Sequence, residues 1–148
     1  MTELFYQLWE EARTRFSNQL SNIKETDLTK KLGNSPNSVG FLMRHIADVE
    51  LLFAKNVFAQ KEVKVSAKTV IDKYDTGEWT NLAELLDYQK YAFDSLETAI
   101  IAVNDDDWEN FVETKEFGKK TKAEALGRIV SHTAYHAGQL ALAVKYGI

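Results

Sequence analysis

Three histidines, His45, His132 and His136, are the residues with the clearest metal-binding chemistry in this sequence. His132 and His136 are four residues apart in a stretch of helical periodicity, so both imidazoles project from one side of a helix and can reach the same ion. His45 lies in a different apolar helical stretch and can supply a third nitrogen from across the core of a bundle. Three imidazoles are a known ligand set for zinc and leave one position open to water. The spacing is therefore compatible with a site for one divalent metal ion.

The same three residues also have a purely structural interpretation. A histidine on an apolar helix is commonly a hydrogen-bonded residue at the edge of the core, and the spacing of four does not decide between the two interpretations. A metalloprotease is disfavoured, because Thr133 follows His132 where that class has the glutamate that acts as the base. The sequence does not identify the metal, since three imidazoles suit zinc, nickel, iron or copper.

Three polar residues close to the histidines in sequence are candidates for the surroundings of the site. Gln139 shares the face of the histidine pair, so it either touches a metal-bound water or is a polar residue at the mouth of the bundle. Asp48, three residues after His45, either accepts the second N–H of that imidazole or faces solvent. For Tyr135 we expect packing, with its hydroxyl at the surface, in preference to a place in the pocket.

Four long helices must position these residues. Ser38, Asn81 and Thr121 are predicted N-caps, and apolar residues recur at steps of three and four over about Leu4–Ile23, Val39–Phe58, Leu82–Asn104 and onward from Thr121 to about Tyr146. No stretch alternates convincingly as a strand, although the connection before the last helix has room for a short extended piece. The sequence predicts an all-α four-helix bundle with a long crossover, residues 60–80, between helices 2 and 3.

Composition narrows the class of protein further. At 148 residues the chain is expected to form a single domain, residues 1–148. The formal net charge is −4, and the basic residues are scattered, so nucleic acid is not an expected partner. No leader pattern and no long apolar stretch is present, so we expect a cytoplasmic protein without a membrane partner. Cysteine is absent, so any metal ligand must offer nitrogen or oxygen, and any reactive thiol must come from a cofactor.

Two segments carry a family resemblance. Ser38–Ile46 reads SVGFLMRHI, and Ser131–Leu140 reads SHTAYHAGQL. Together they resemble the DinB-like family, which includes bacillithiol-dependent transferases and, more distantly, mycothiol-dependent maleylpyruvate isomerases. The resemblance extends over essentially the whole chain. It implies a four-helix bundle of the DinB type, a divalent metal held by His45, His132 and His136, and frequent homodimerisation.

For the reaction, the resemblance implies a metal-dependent S-transferase that uses a low-molecular-weight thiol such as bacillithiol and a small-molecule substrate. A divalent ion can lower the pKa of a coordinated thiol or water far enough to make the anion at neutral pH. A metal-dependent hydrolase, and a non-catalytic metal-stabilised bundle or small-ligand binder, are the alternatives. A homodimer is also expected from aromatic residues in excess of what one small bundle buries, namely Phe5, Trp9, Phe16 and Trp108.

Overall fold

A computed structural model describes residues 1–148 and contains five α-helices and one two-stranded antiparallel sheet. In chain order the elements are α1 (Thr2–Leu20), α2 (Val39–Leu52), α3 (Lys68–Asp72), α4 (Leu82–Ile101), β1 (Phe111–Thr114), β2 (Gly118–Thr121) and α5 (Lys122–Tyr146). The long helices α1, α2, α4 and α5 pack as a bundle around two apolar clusters. The predicted four-helix bundle is confirmed.

The predicted N-caps are confirmed at three helices. The side chains of Ser38 and Asn81 each accept a hydrogen bond from the backbone N–H three residues further on. Thr121 and Glu124 form a reciprocal capping box at the start of α5, in which each side chain accepts from the backbone N–H of the other residue. These bonds satisfy N–H groups that have no partner inside a helix, and they fix where α2, α4 and α5 begin.

Helix ends and short elements differ from the prediction. The helices α1 and α4 end three residues early, because Ile23 and Val103 reach the core from the turns that follow and not from a further helical turn. The second long helix changes after Leu52 to a π-helical turn, Phe53–Val57. The short extended piece allowed for before the last helix is present as the β1–β2 hairpin. The short helix α3 was not predicted, since an element of five residues is too short to show a clear period.

The long crossover follows from the directions of the helices. Trp9 of α1 and Ile129 of α5 belong to one apolar cluster, and the later Phe16 and Ala137 belong to the other. In α2 and α4 the order of the two clusters along the chain is reversed, so α2 runs parallel to α4 and α1 runs parallel to α5. Because α2 and α4 are packed neighbours, the chain must return along the length of the bundle between them.

The crossover lies directly against α2. A Cβ on Gly40 would be 1.9 Å from the carbonyl oxygen of Trp79, so only glycine permits this approach. Further along α2, the Arg44 guanidinium lies over the rings of Trp79 and Tyr88, 4.8 and 3.8 Å from their centroids. Arg44 also donates a hydrogen bond to the carbonyl of Ser66. These contacts hold the crossover beside the middle of α2.

A buried polar layer separates the two apolar clusters and takes one residue from each long helix. Arg13 of α1 makes two hydrogen bonds of 2.8 Å to the carboxylate of Glu50 of α2. Gln89 of α4 accepts from Arg13 at 3.1 Å, and its amide donates to the carbonyl of Met43. Thr133 of α5 donates to Glu50 at 3.3 Å. All four layer residues are buried, so every long helix is tied to one charged pair inside the core.

The aromatic residues that suggested a dimer are buried within the chain. Trp9, Phe16 and Trp108 lie in the core, and Phe5 is partly buried with its ring centroid 4.6 Å from that of Trp108. The argument for a homodimer from surplus aromatics is therefore wrong, because the two apolar clusters within one chain bury these rings. No helix of the protein combines the length and apolar character that crossing a bilayer requires.

Glu50→Gln should destabilise the protein by about 3–5 kcal/mol, because it leaves the Arg13 charge buried without a counter-charge. Chemical denaturation of the metal-free protein measures the change. The matched control is Lys90→Gln, which removes the exposed Lys90–Asp94 ion pair on the surface of α4 and should change the free energy of unfolding little. Equal effects of the two substitutions would contradict the role assigned to the buried pair.

Candidate metal centre

The three histidines meet on one side of the interface between α2 and α5. The core-facing residues of α5 include Ile129, Thr133 and Ala137, so His132 and His136 lie beside this apolar stripe and not within it. His45 lies at the corresponding edge of α2, where Phe41, one turn earlier, stacks on its ring. All three imidazoles are half-buried.

Their nitrogen atoms lie close together. The Nε2 atoms of His45 and His132 are 3.2 Å apart, and one nitrogen from each of the three rings lies within 4.8 Å of the others. No carboxylate belongs to this cluster. In a tetrahedral zinc site the ligand nitrogens are about 3.3 Å apart, given Zn–N bonds of about 2.0–2.1 Å. The rings can therefore take up this spacing with small movements.

The electrostatics of the site favour neutral rings. Burial, together with the neighbouring His136, lowers the pKa of His45 to about 4. Burial and the two neighbouring histidines lower the pKa of His132 to about 3. Burial also lowers the pKa of His136. Neutral imidazole is the form that binds a metal, so these rings need not lose a proton to solvent before they act as ligands at neutral pH.

Gln139 and Tyr135 both contact His136. The Gln139 side-chain oxygen lies 2.7 Å from Nδ1 of His136 and accepts its hydrogen. Gln139 therefore binds the outer nitrogen of a candidate ligand, an arrangement typical of residues that surround a metal site. The Tyr135 ring lies edge-on to His136, at 5.2 Å between centroids, and is largely exposed. Tyr135 thus packs at the surface, and it does not line the cavity beside the histidines.

Asp48 reaches His45 through another residue. Nδ1 of His45 lies 3.0 Å from the hydroxyl oxygen of Thr69 in α3, and that hydroxyl donates to Asp48 at 2.7 Å. Arg44 and Tyr88 donate to the other oxygen of Asp48. The direct bond from His45 to Asp48 considered from the sequence is absent, and Asp48 is fully buried and not solvated.

A cavity of about 540 Å³ opens beside His45 and His132. Its apolar wall comes from α2 with its π-helical turn, from α3 and from the hairpin, and consists of Val49, Leu52, Phe53, Val57, Val70 and Phe117. Its polar residues are Asn56, Glu113, Thr114, Lys115 and Glu116. Two candidate ligands thus lie at the wall of a mainly apolar cavity large enough for a small organic molecule.

The residues present fit a divalent ion. They offer three neutral nitrogens near one point, and no protein carboxylate closes the set. Nδ1 of His132 is buried without a hydrogen-bond partner, so the polar contact of this ring is that of its Nε2 with Nε2 of His45. His45 and His136 each have an outer partner, which leaves their inner nitrogens to face the cluster.

A family model described as the DinB superfamily matches residues 8–140. The chain belongs to the DinB superfamily. The match to the family model covers α2 and both histidines of α5, so the resemblance seen in the two sequence segments is confirmed. Comparison of this DinB protein with curated protein sequences gives no significant match.

Two solved structures share the fold of this DinB protein. A mycothiol-dependent maleylpyruvate isomerase superposes with a TM-score of 0.72 at 19% identity, and the match covers 95% of this chain and 60% of that chain. A histidine-to-alanine variant of a mycothiol-dependent maleylpyruvate isomerase gives a TM-score of 0.69 at 18% identity, with the same coverage. The chain thus spans about 60% of the length of these enzymes, and at this identity the likeness shows the fold alone.

Sequence reasoning missed Thr69 and most of the cavity wall. Thr69 lies in the crossover, where no periodic pattern singles out any residue, and it meets His45 only because the crossover folds back over α2. The hairpin residues of the cavity also lie in a connection, although Phe117 is a large apolar residue between helices and offered a weak signal. Thr69 and the hairpin residues reach the site only through contacts between residues far apart in the chain.

The metal-free protein should lose stability as the pH falls below about 6.5. In the unfolded chain the histidines have pKa values near 6.5, whereas those of His45 and His132 in the folded protein are about 4 and about 3. Between these values the unfolded state binds more protons, so the free energy of unfolding falls with falling pH. Urea unfolding with a chelator present, between pH 7 and pH 4, measures the slope.

The control for this pH dependence is a variant in which all three histidines are replaced by glutamine. Its carboxylates titrate as in the wild type, so its slope should be shallower by the contribution of the histidines alone. Identical slopes would mean that the folded protein does not lower the pKa values of these rings.

Proposed function

We propose that this DinB protein holds one divalent metal ion through His45, His132 and His136 and transfers a low-molecular-weight thiol to a small electrophilic substrate. The observation that carries the proposal is a cluster of three neutral imidazoles, two of which, those of His45 and His132, lie at the wall of a cavity of about 540 Å³. A metal with a purely structural role needs no such cavity, whereas a reaction needs space for a substrate beside the ion.

A divalent ion, when bound there, supplies a Lewis acid that lowers the pKa of a thiol or a water molecule. The chain has no cysteine, so the reacting thiol has to be a separate molecule such as bacillithiol. In the proposed transfer the thiol gives up its proton to solvent, its sulfur forms a bond to an electrophilic carbon, and the leaving group departs from that carbon with the bonding electrons. The solved relatives named above are described as mycothiol-dependent, which supports a thiol cofactor; they are isomerases, and the transfer to an acceptor is our proposal for this chain.

The chain's own residues prepare the cavity for this reaction. Leu52, Phe53 and Phe117 form part of the apolar wall, which limits the water that competes with a thiol for the electrophile. Glu116, which lines the cavity, pairs with Arg128 of α5 at 3.4 Å, so the hairpin contacts the helix that carries His132 and His136. The apolar wall suits an uncharged carbon skeleton, and the charged residues of the hairpin suit polar groups that stay near solvent.

Homodimerisation and a cytoplasmic location belong to the same proposal. Two exposed apolar side chains one turn apart on α1, Leu4 and Leu8, support a dimer. A low-molecular-weight thiol cofactor is kept reduced inside cells, which supports a cytoplasmic location. Zinc, nickel and iron all suit the ligand set.

Each of the three variants in which His45, His132 or His136 is replaced by alanine should contain only a small fraction of the metal in the wild type, which should hold about one ion per chain. Two remaining imidazoles form a much weaker site, while the polar layer and the apolar clusters keep the bundle folded. Elemental analysis of untagged protein after dialysis measures the metal, and circular dichroism checks the helices. Tyr135→Phe is the matched control, because it alters a neighbour of His136 that offers no ligand. Full metal content in all three alanine variants would refute the site.

The metal-loaded protein should accelerate the reaction of a low-molecular-weight thiol with a fluorogenic alkyl halide above the rate without protein. Bacillithiol, mycothiol and glutathione are compared at equal thiolate concentration, and the His132→Ala variant measures the metal-independent rate. Phe117→Trp narrows the cavity from the hairpin, an element that supplies no histidine and no hydrogen-bond partner of one, so it should raise the KM for the halide several-fold with metal content unchanged. Turnover of ester substrates without any thiol would favour a hydrolase instead. Metal binding with no turnover of either kind would leave a metal-stabilised bundle.

A further inference from the structure

Thr69 of α3 connects the candidate metal centre to a buried carboxylate. The side chain is 3% exposed, and its hydroxyl lies between Nδ1 of His45, at 3.0 Å, and Oδ2 of Asp48, at 2.7 Å. The backbone N–H of Thr69 also donates to Oδ2 of Asp48, at 3.1 Å. Thr69 is thus held against Asp48 by two bonds, and only one of them passes through the hydroxyl.

The directions of these hydrogen bonds follow from the number of hydrogens available. A threonine hydroxyl has one hydrogen, and the Asp48 carboxylate can only accept, so that hydrogen lies on the bond to Asp48. The hydroxyl oxygen of Thr69 can then only accept from His45. Nδ1 of His45 therefore carries the hydrogen of the neutral ring, and Nε2 has a free lone pair that faces the cluster.

The Asp48 carboxylate is held in the orientation that accepts the hydrogen bond from Thr69. Its second oxygen accepts from Nε of Arg44 at 2.9 Å and from the hydroxyl of Tyr88 at 2.7 Å, and the residue is fully buried. Arg44 is itself fixed by its contacts with the crossover. The carboxylate thus has a fixed orientation, which fixes the direction in which the Thr69 hydroxyl donates its hydrogen.

We propose that Thr69 is a positioning residue that sets the ring orientation and tautomer of His45, so that its Nε2 is presented to the metal ion. This inference rests on the metal binding proposed above. Gln139 fixes His136 in the same sense, since its oxygen accepts from Nδ1. His132 has no such outer partner. In the metal-free protein its Nε2–H donates to the lone pair on Nε2 of His45.

The position of Thr69 also couples the metal centre to the cavity. Val70, the next residue of α3, lines the cavity beside His45. One short helix of the crossover therefore supplies both a part of the substrate wall and the hydrogen-bond acceptor for a ligand. A change in the placement of α3 would alter both together.

The test compares Thr69→Val, which removes the hydroxyl but keeps the shape and the backbone bond to Asp48, with Thr69→Ser, which keeps the hydroxyl. The matched control is Thr2→Val, because the Thr2 hydroxyl likewise accepts from a ring N–H, that of Trp108, and donates to an oxygen, the carbonyl of Val103. Zinc affinity is measured by competition with a chromogenic chelator. Long-range ¹H–¹⁵N correlation spectra of the metal-free proteins report which nitrogen of each histidine carries the hydrogen.

We expect wild type, Thr69→Ser and Thr2→Val to show His45 in the Nδ1–H form and to bind zinc with similar affinity. Thr69→Val should bind zinc about 10- to 100-fold more weakly and show a mixture of tautomers at His45. Its helical circular dichroism and its melting temperature with chelator show whether it is folded. If Thr69→Val loses its fold, a wild-type or Thr69→Ser spectrum with His45 in the Nε2–H form would still overturn the proposal.

Two further outcomes separate this inference from the metal site itself. A wild type that binds zinc, together with a folded Thr69→Val that binds it equally well, would refute the role of Thr69 and leave the metal site standing. A wild type that binds neither zinc nor nickel nor iron would refute the metal site and, with it, the role of Thr69 in presenting a ligand.

Discussion

The fold depends on a charged pair placed inside the core. Arg13 and Glu50 are bound to each other by two hydrogen bonds, and Gln89 and Thr133 complete a layer to which each long helix contributes one residue. A buried charge without its partner is costly, whereas an apolar contact can be exchanged for another at little cost. Axial shifts of one helix against another that would separate these groups are therefore disfavoured. The polar layer thus fixes the position of each helix along the bundle axis.

The same constraint brings the three histidines to one level. Thr133 contacts Glu50 in the layer, and the adjacent His132 then lies opposite His45, which precedes Glu50 on α2 by little more than one turn. A shift of α5 by one turn, about 5.4 Å, would move His132 away from His45 and would also break the Thr133–Glu50 bond. The geometry of the candidate site is thus a consequence of the register that the polar layer sets.

The parallel arrangement of α2 and α4 has a second consequence for the site. It requires a chain segment that runs back along the bundle, and this crossover packs against α2 at Gly40 and at Arg44. The segment supplies Thr69 to His45 and Val70 to the cavity. Residues that serve only as a connection in an up-and-down bundle therefore contribute here to the candidate metal centre and to the cavity wall.

The sequence by itself determined the four helices, their N-caps at Ser38, Asn81 and Thr121, the long crossover and the pairing of His132 with His136, because each is a local or periodic property of the chain. It also named His45 as the remaining candidate ligand. Only the tertiary structure decided that Thr69 lies between Asp48 and His45, that Trp9 and Trp108 are core residues, and that a hairpin closes one side of a cavity. These depend on contacts between residues distant in the chain, whose partners no local pattern specifies.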